Sequence, residues 1–421
     1  MATSVQDMVR PGECVDLYYY DGETSKKQCF PTTQNTKFVQ QFQNLTGGSS
    51  VFTIPPNMGI QDVVLEMKIA GLGAVVGLAV PRGWGYALIK QVSFRYGGSS
   101  QYFLSGQQIL QNALRRQTSR SSCDDILTLG GNYADSASSP PLTDDQYATV
   151  VLTLPHNIPS GVGKAHPLPT DLLTQQVQIT VELNPISSIF ATSNGGSAPP
   201  TSLASAQFVV QQVVMNNQGD ALARRVDMST NAYAFPCEFV QQEQVIPLIN
   251  QATSQSVVLT GFRSGEVKAI HCWLTRDEDN SNGVVNPFVW YAPQTIQMTY
   301  AGDIYARYEN YSSSLFALIN GNKSPAVDNA TITAAGAPPT TGQVLSTWTE
   351  LPFAQTNVDE DSHYTLVHGK PITNGIVNLD ITFNPNAAIF NPQAGDSWKL
   401  HVSYIYNSTL LFSQGTADYV F

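Results

Sequence analysis

The chain has 421 residues, enough for two or three domains, and only 13% of them are charged, well below the usual globular share of about 25%. A formal net charge of −11 argues against direct nucleic-acid binding, because the segment before residue 30 holds only Arg10, Lys26 and Lys27 as cations, offset by acids. A surface solvated by Gln, Asn, Ser and Thr instead suits packing against copies of itself, since dense charge would cost desolvation at every contact.

Residues 1–30 read as an irregular arm in which Leu17, Tyr18, Tyr19 and Tyr20 would either anchor it against a neighbour or fold a short strand back onto the first domain. Strand signals then follow in close succession: Val51–Ile54 ending at Pro55-Pro56, Val63–Ile69, Leu88–Tyr96 stopped by Gly97-Gly98, Thr149–Leu154, Val177–Leu183 and Phe208–Met215. One helix is expected among them. Ser105 or Gly106 can begin it, Ile109, Leu110, Ala113 and Leu114 form one apolar stripe, and Arg115 and Arg116 complement its dipole at the end. A second helix is expected around Leu315, Phe316, Leu318 and Ile319, ended by Gly321. Residues 118–148, 191–205 and 321–344 read as long polar loops, and Gly219–Thr230, with Arg224-Arg225, as a linker. Further strands are expected near 239–246, 256–262, 266–275, 288–300, 346–351, 376–383 and 398–406.

Landmarks recur at nearly one spacing. Phe38-Val39-Gln40-Gln41 returns as Phe239-Val240-Gln241-Gln242, displaced by 201 positions (239 − 38). The stretch Phe94–Gly98 is echoed by Met298–Gly302, displaced by 204 (298 − 94), and Val177–Pro185 with Ile189-Phe190 by Val377–Pro385 with Ile389-Phe390, displaced by 200 (377 − 177). Three matches in one order point to a duplicated domain, each copy long enough to bury its own core. Many short strands with no βαβ rhythm give an all-β chain of two tandem antiparallel sandwiches.

Signs of chemistry are few. Five cysteines (Cys14, Cys29, Cys123, Cys237, Cys272) include no CxxC pair, and an odd count in a chain of this size leads to the expectation of five free thiols. The start MATSVQDMVRPGEC lacks the apolar core of a signal peptide, so a soluble protein of a reducing compartment is expected. Ser160–Ala165 resembles part of a phosphate-binding loop, but Ile158 and Ala165 stand where the motif needs Gly and Ser or Thr. Asp277–Gly283 resembles the start of a calcium loop, but Asn282 and Phe288 occupy its Gly and Glu positions, so a solvated turn is expected. Six scattered histidines show no HExxH, and His271 and His401 lie in strand patterns as packed residues. The carboxylate pairs Asp124-Asp125 and Asp144-Asp145 read as solvated loop residues, and the sequons at Asn44, Asn310, Asn322, Asn329 and Asn407 as chance in an Asn- and Thr-rich chain. No catalytic, cofactor-binding or metal-ligating residue is assigned, and an enzyme is not expected.

The duplication, the helix at a matching place in each half, the long loops and the turn Leu168-Pro169-Thr170-Asp171 before Val177 (with Pro371-Ile372-Thr373 before Val377) resemble the double jelly-roll major capsid proteins of tailless icosahedral double-stranded DNA viruses. The size and low charge look most like the smaller members, from virophage-like or polinton-like elements. The resemblance implies two eight-stranded jelly rolls with short helices in their loops: an N-terminal arm at 1–30, a first jelly roll at 31–218, a linker at 219–231 and a second jelly roll at 232–421. It also implies homotrimeric, pseudo-hexagonal capsomers that tile an icosahedral shell. The partners so implied are neighbouring trimers, minor capsid and penton proteins and, where a particle has one, an internal membrane, with no direct nucleic-acid contact. The location implied is the virion, after synthesis in the host cytoplasm or nucleus without secretion. The alternative from the residues is a carbohydrate-binding or adhesive β-sandwich, a viral spike or lectin, with a sandwich-fold carbohydrate enzyme more distant.

Overall fold

The computed structural model describes residues 33–420 apart from 56–58, 74–76, 98–100, 116–119, 133, 136–143, 153–158, 161–163, 166–167, 193–196, 216–231, 250–253, 277–289, 291–292, 294, 309–348, 354–369, 373–375 and 383–397. The arm, the linker, the second expected helix and the calcium-like loop therefore lie outside the described residues, as does the Asn384-Pro385 landmark.

In the first half the chain forms β1 (Thr33–Gln41), β2 (Gly48–Ile54), β3 (Gly59–Ile69), α1 (Trp84–Leu88), β4 (Ile89–Tyr96), β5 (Tyr102–Ser105), α2 (Gly106–Arg115), α3 (Arg120–Leu129), β6 (Gln146–Leu152), β7 (Val177–Leu183) and β8 (Ser205–Met215). In the second it forms β9 (Tyr233–Val240), β10 (Gln244–Pro247), β11 (Ser254–Leu259), β12 (Gly265–Arg276), β13 (Thr295–Tyr300), β14 (Asp303–Tyr308), β15 (Thr349–Pro352), β16 (Val377–Thr382), β17 (Trp398–Ser413) and β18 (Thr416–Val420). The strands follow from alternation of β-branched and polar residues. In β7, Val177, Ile179, Val181 and Leu183 are buried while Gln178, Thr180 and Glu182 are partly exposed, the period of a half-buried strand.

Both halves build the same pair of antiparallel sheets. One runs β1-β8-β3, with β6 also on β3, and the other β2-β7-β4-β5; their counterparts run β9-β17-β12, with β15 on β12, and β11-β16-β13-β14. This order makes neighbours of strands distant in sequence, which is jelly-roll connectivity. Aromatic rings join the sheets of the first half: Phe52 of β2 stacks on Phe208 of β8 with centroids 4.2 Å apart.

The repeated landmarks occupy the same lattice points. Phe38 lies opposite Val210 on β8, and Phe239 opposite Tyr406 on β17. Val177 pairs with Tyr96, and Val377 with Tyr300. The next residue adopts positive φ in both copies, 58° at Gly97 and 52° at Ala301. The second half adds β10 and β18, both paired to the 16-residue β17.

Three expectations change. Within the presumed loop 118–148, α3 forms, so Asp124 and Asp125 sit on a helix rather than in a loop; its single buried side chain among those described, Leu127, explains why no apolar stripe announced it. The strand expected at 239–246 is two strands broken at Gln241–Glu243, and the strand expected to end at 406 continues to Ser413. Both changes fall where the two jelly rolls meet.

Candidate assembly site: the seam between the jelly rolls

The seam begins with a turn that reaches outward. Ser105 caps α2 through a reciprocal pair: Gln108 N–H donates to Ser105 Oγ at 3.2 Å, and Ser105 N–H donates to Gln108 Oε1 at 3.1 Å. This fixes the Gln108 amide, and its Nε2 crosses to the second half, donating to the Gln241 carbonyl at 2.9 Å and to Ser403 Oγ at 2.8 Å. Ser403 Oγ in turn donates to Gln241 O at 2.9 Å. The expected apolar stripe of α2 is the anchor behind this turn, with Ile109, Leu110, Ala113 and Leu114 all buried. Gly106 is required there, since a Cβ would meet the carbonyl oxygens of Tyr86 and Ile89 at 2.3 Å.

Gln107 and Ser105 extend the polar layer. Gln107 Oε1 accepts from the indole N–H of Trp273 at 3.0 Å and of Trp290 at 3.2 Å, which settles the orientation of its amide. Ser105 Oγ donates to Glu243 Oε2 at 3.2 Å. Burial raises the Glu243 pKa above the usual carboxylate value, and the Ser105 hydroxyl offsets part of that. His401 stacks on Trp273 and shares a 2.8 Å hydrogen bond with Thr275 Oγ1. Each such bond contributes about 0.5–1.5 kcal/mol, and leaving a buried partner unsatisfied costs about 1–3 kcal/mol.

An aromatic layer lies beside it. The Tyr102 ring is 4.7 Å from Phe239 and 5.8 Å from Tyr419, and its Oη accepts the Val240 N–H at 3.2 Å. Tyr96 meets Tyr419 edge-on at 6.2 Å. Below the rings, Thr174 N–H and Oγ1 both donate to the Gly415 carbonyl, at 2.8 and 3.1 Å. Gly415 has φ +78°, and a Cβ there would lie 2.3 Å from Thr174 Cγ2. Polar and aromatic contacts together join the two sandwiches across one continuous core.

Groups considered as chemical candidates are placed as structure. His271 is buried against Glu350, with Nε2 3.0 Å from Oε2. Cys237 and Cys272 are free and buried; burial pushes the Cys237 thiol up to about 12 and raises Cys272 as well, so neither supplies a thiolate near neutrality. Asp145 bonds Lys68 Nζ at 2.5 Å and accepts the Gly71 N–H at 3.0 Å, and the Lys68 ammonium beside it lowers its pKa. Asp144 and Asp125 are exposed. Of the sequons, Asn44 is exposed and Asn407 Nδ2 donates to Glu266 at 3.2 Å; the other three lie outside the described residues. The same holds for Cys14, Cys29, His156, His166, His363, His368 and the side chain of Cys123. The phosphate-loop-like segment is flanked by a two-residue ladder, Lys164 opposite Ser160 and Ala165 opposite Pro159. Among the described residues, no three His, Cys, Asp or Glu side chains are grouped to hold a metal, and no helix is long and apolar enough to cross a membrane.

Two tandem jelly rolls fused along such a seam define a double jelly-roll protein. Solved structures share the arrangement across nearly the whole chain. VP54 of PBCV-1, fitted into a cryo-EM reconstruction of the virophage Sputnik, matches with a TM-score of 0.64 at 13% identity, over 93% of this chain and 97% of that one. The Faustovirus major capsid protein matches with a TM-score of 0.52 at 11% identity, over 91% of each chain, and the mavirus major capsid protein with 0.51 at 11%, over 92% and 90%. At such identities the likeness is one of fold: this chain has the double jelly-roll fold of viral major capsid proteins. No protein-family model matches the chain, and no curated protein matches it in sequence.

Proposed function

We propose that the chain is the major structural subunit of an icosahedral viral shell. The observation that carries this reading is the seam: two copies of one sandwich are held side by side by buried polar and aromatic contacts. A rigid pair of like walls has an obvious use in a shell, because three such chains present six similar walls and pack as a pseudo-hexagon. The full-length likeness to viral major capsid proteins and the low charge support the same reading.

In this reading the subunit forms homotrimers whose jelly rolls span 31–218 and 232–421, joined by the linker 219–231, and trimers tile the faces of the virion. The arm at 1–30 docks by its Leu17–Tyr20 cluster under its own or a neighbouring subunit, meeting protein or membrane rather than genome. Minor capsid and penton proteins complete the shell. The subunit is a building element without catalytic residues or cofactors, and it needs no secretion.

Sedimentation velocity of the purified chain at micromolar concentration, with negative-stain microscopy, tests this. The expected result is a stable trimer that forms sheets or shells. A monomer that binds glycans would overturn it in favour of an adhesive sandwich.

A further inference from the structure

Of the hydrogen bonds described across the seam, one ends on a carboxylate. Glu243 lies in the turn between β9 and β10, with its side chain 19% exposed, and its Oε2 accepts the Ser105 hydroxyl at 3.2 Å. A glutamine would accept the same bond through its carbonyl. The neighbours Gln241, Gln242 and Gln244 are all amides. In the first copy the matching residue, four positions after Phe38 as Glu243 is after Phe239, is the buried Phe42. A charge at this point costs desolvation that the bond itself does not require.

A histidine faces this carboxylate. His401 Nδ1 lies 4.0 Å from Glu243 Oε1, and the His401 side chain is 10% exposed. Stacking on Trp273 and the 2.8 Å contact of Nε2 with Thr275 Oγ1 hold the ring with Nδ1 toward the carboxylate. The elements packed around the pair bring few other charges. From β5 and α2 come the neutral Ser105, Gln107 and Gln108. From β12 and β15 come His271 and Glu350, which bond each other at 3.0 Å, with His271 opposite Ser403. On β17, Lys399 is two positions from His401, hence on the same side of the strand, and lies opposite Thr275. On β10, Val245 lies opposite His401. Glu238 of β9 and Lys268 of β12 pair with each other.

We infer that Glu243 and His401 are a proton latch of the seam: the pair holds one proton between its two groups, and the jelly rolls are joined most tightly when that single proton is bound. With none, the layer buries the negative charge of a carboxylate. With one, it is neutral overall, as carboxylate and imidazolium or as acid and imidazole. With two, it buries the positive charge of an imidazolium. The closed seam therefore binds the first proton more tightly than the separated groups do, and stability is gained as pH falls through the histidine range. It binds the second less tightly, and stability is lost as pH falls on through the carboxylate range. Burial raises the Glu243 pKa, in keeping with the first step. The optimum lies between about pH 4.3 and 6.5, the ordinary values of glutamate and histidine. The junction within one chain thereby responds to mild acid, whether or not chains assemble.

Thermal melts of the full chain across this pH range test the latch. The unaltered protein is compared with Glu243→Gln, His401→Gln and the double variant, with circular dichroism to confirm folding. Subtracting the double variant removes the other titrating groups, His271, Glu350 and Lys399 included. The expected difference for the unaltered protein is a bell. Glu243→Gln should lack the gain near neutrality and fall only at more acid pH, whereas His401→Gln should rise steadily toward acid pH. Tryptophan fluorescence of the unaltered chain and of Glu243→Gln follows the proton on His401 in parallel, because an imidazolium quenches an indole stacked on it. Loss of the carboxylate should weaken that proton's binding about tenfold, the shift of one pH unit that a nearby opposite charge supplies. A flat or one-sided difference for the unaltered protein, or one equal to the sum of the two single variants, would overturn the latch. So would an unmoved fluorescence midpoint, which decides the question even where the double variant does not fold. The shell reading is judged separately, by the oligomeric state, and stands or falls without this result.

Discussion

The outward face of the second jelly roll and the same face of the first carry the same strands in the same order, yet one is buried and the other is half open. On the covered face the residues are specialised. Trp273, His401 and Ser403 are buried and bonded, and Gln241–Glu243 interrupts the strand so that its carbonyl and carboxylate can meet α2. On the open face the corresponding positions keep a plain alternation of valines with Gln, Glu and Lys. The difference teaches that a neighbour fixed within the chain permits buried polar networks, because their geometry is guaranteed, whereas the face without one keeps charged and amide side chains between its valines.

Removing the cover should have the largest effect. Tyr102→Ala strips the ring from Phe239 and Tyr419 and the acceptor from Val240 N–H, and is expected to cost about 3–5 kcal/mol. Denaturant titration should also show one transition becoming two as the jelly rolls uncouple. A single unshifted transition would mean the halves are not joined through this contact.

Gly415→Ala should be next, at about 1–3 kcal/mol, because it adds left-handed strain and pushes Thr174 off the Gly415 carbonyl. Gly48→Ala is the matching control, since Gly48 has φ +96° with nothing within 4 Å of a Cβ. The excess of the first loss over the second measures the seam contact, and equal losses would remove it from the account.

Glu243 gives a pH test with a definite sign. Burial raises its pKa, so the folded state holds the proton more tightly than the unfolded chain. Stability from this group therefore increases as pH falls from neutral through the raised value, is fully present below the ordinary carboxylate range, and is lost as pH rises again. Glu243→Gln should raise the melting temperature at neutral pH and flatten the slope in that window. A steeper slope in the variant would contradict the assignment.

The smallest effect compares the two strand ends. Ala301 holds a left-handed φ of 52° where the first copy has Gly97 at 58°. Ala301→Gly should stabilise by about 0.5–1 kcal/mol. Gly97→Ala should destabilise, since its Cβ would press Leu173 at 3.1 Å. Equal responses in thermal melts would show that the two turns are not equivalent.

The sequence made the duplication legible because its landmarks sit where strands pair: Val177 with Tyr96 and Val377 with Tyr300 are partners in each copy. The helix at 106–115 was legible from its stripe and from Ser105, whose capping pair with Gln108 is a Ser-x-x-Gln signal. The seam was not. Gln107, Gln108, Gln241 and Ser403 are common polar residues, and what sets them apart is a partner 133 to 295 positions away, which no local pattern carries. Helix α3 was missed for a related reason: with one buried side chain among those described, it has too little apolar periodicity to stand out from a loop.

The central claim is that the seam holds the two jelly rolls as one rigid pair. A cryo-EM map of the assembled protein tests it most directly. The expected map shows one seam geometry in every copy, with the Gln108 amide on the Gln241 carbonyl and the Tyr102 ring on Phe239. A map in which the two jelly rolls take different relative positions from copy to copy, with those contacts broken, would contradict it.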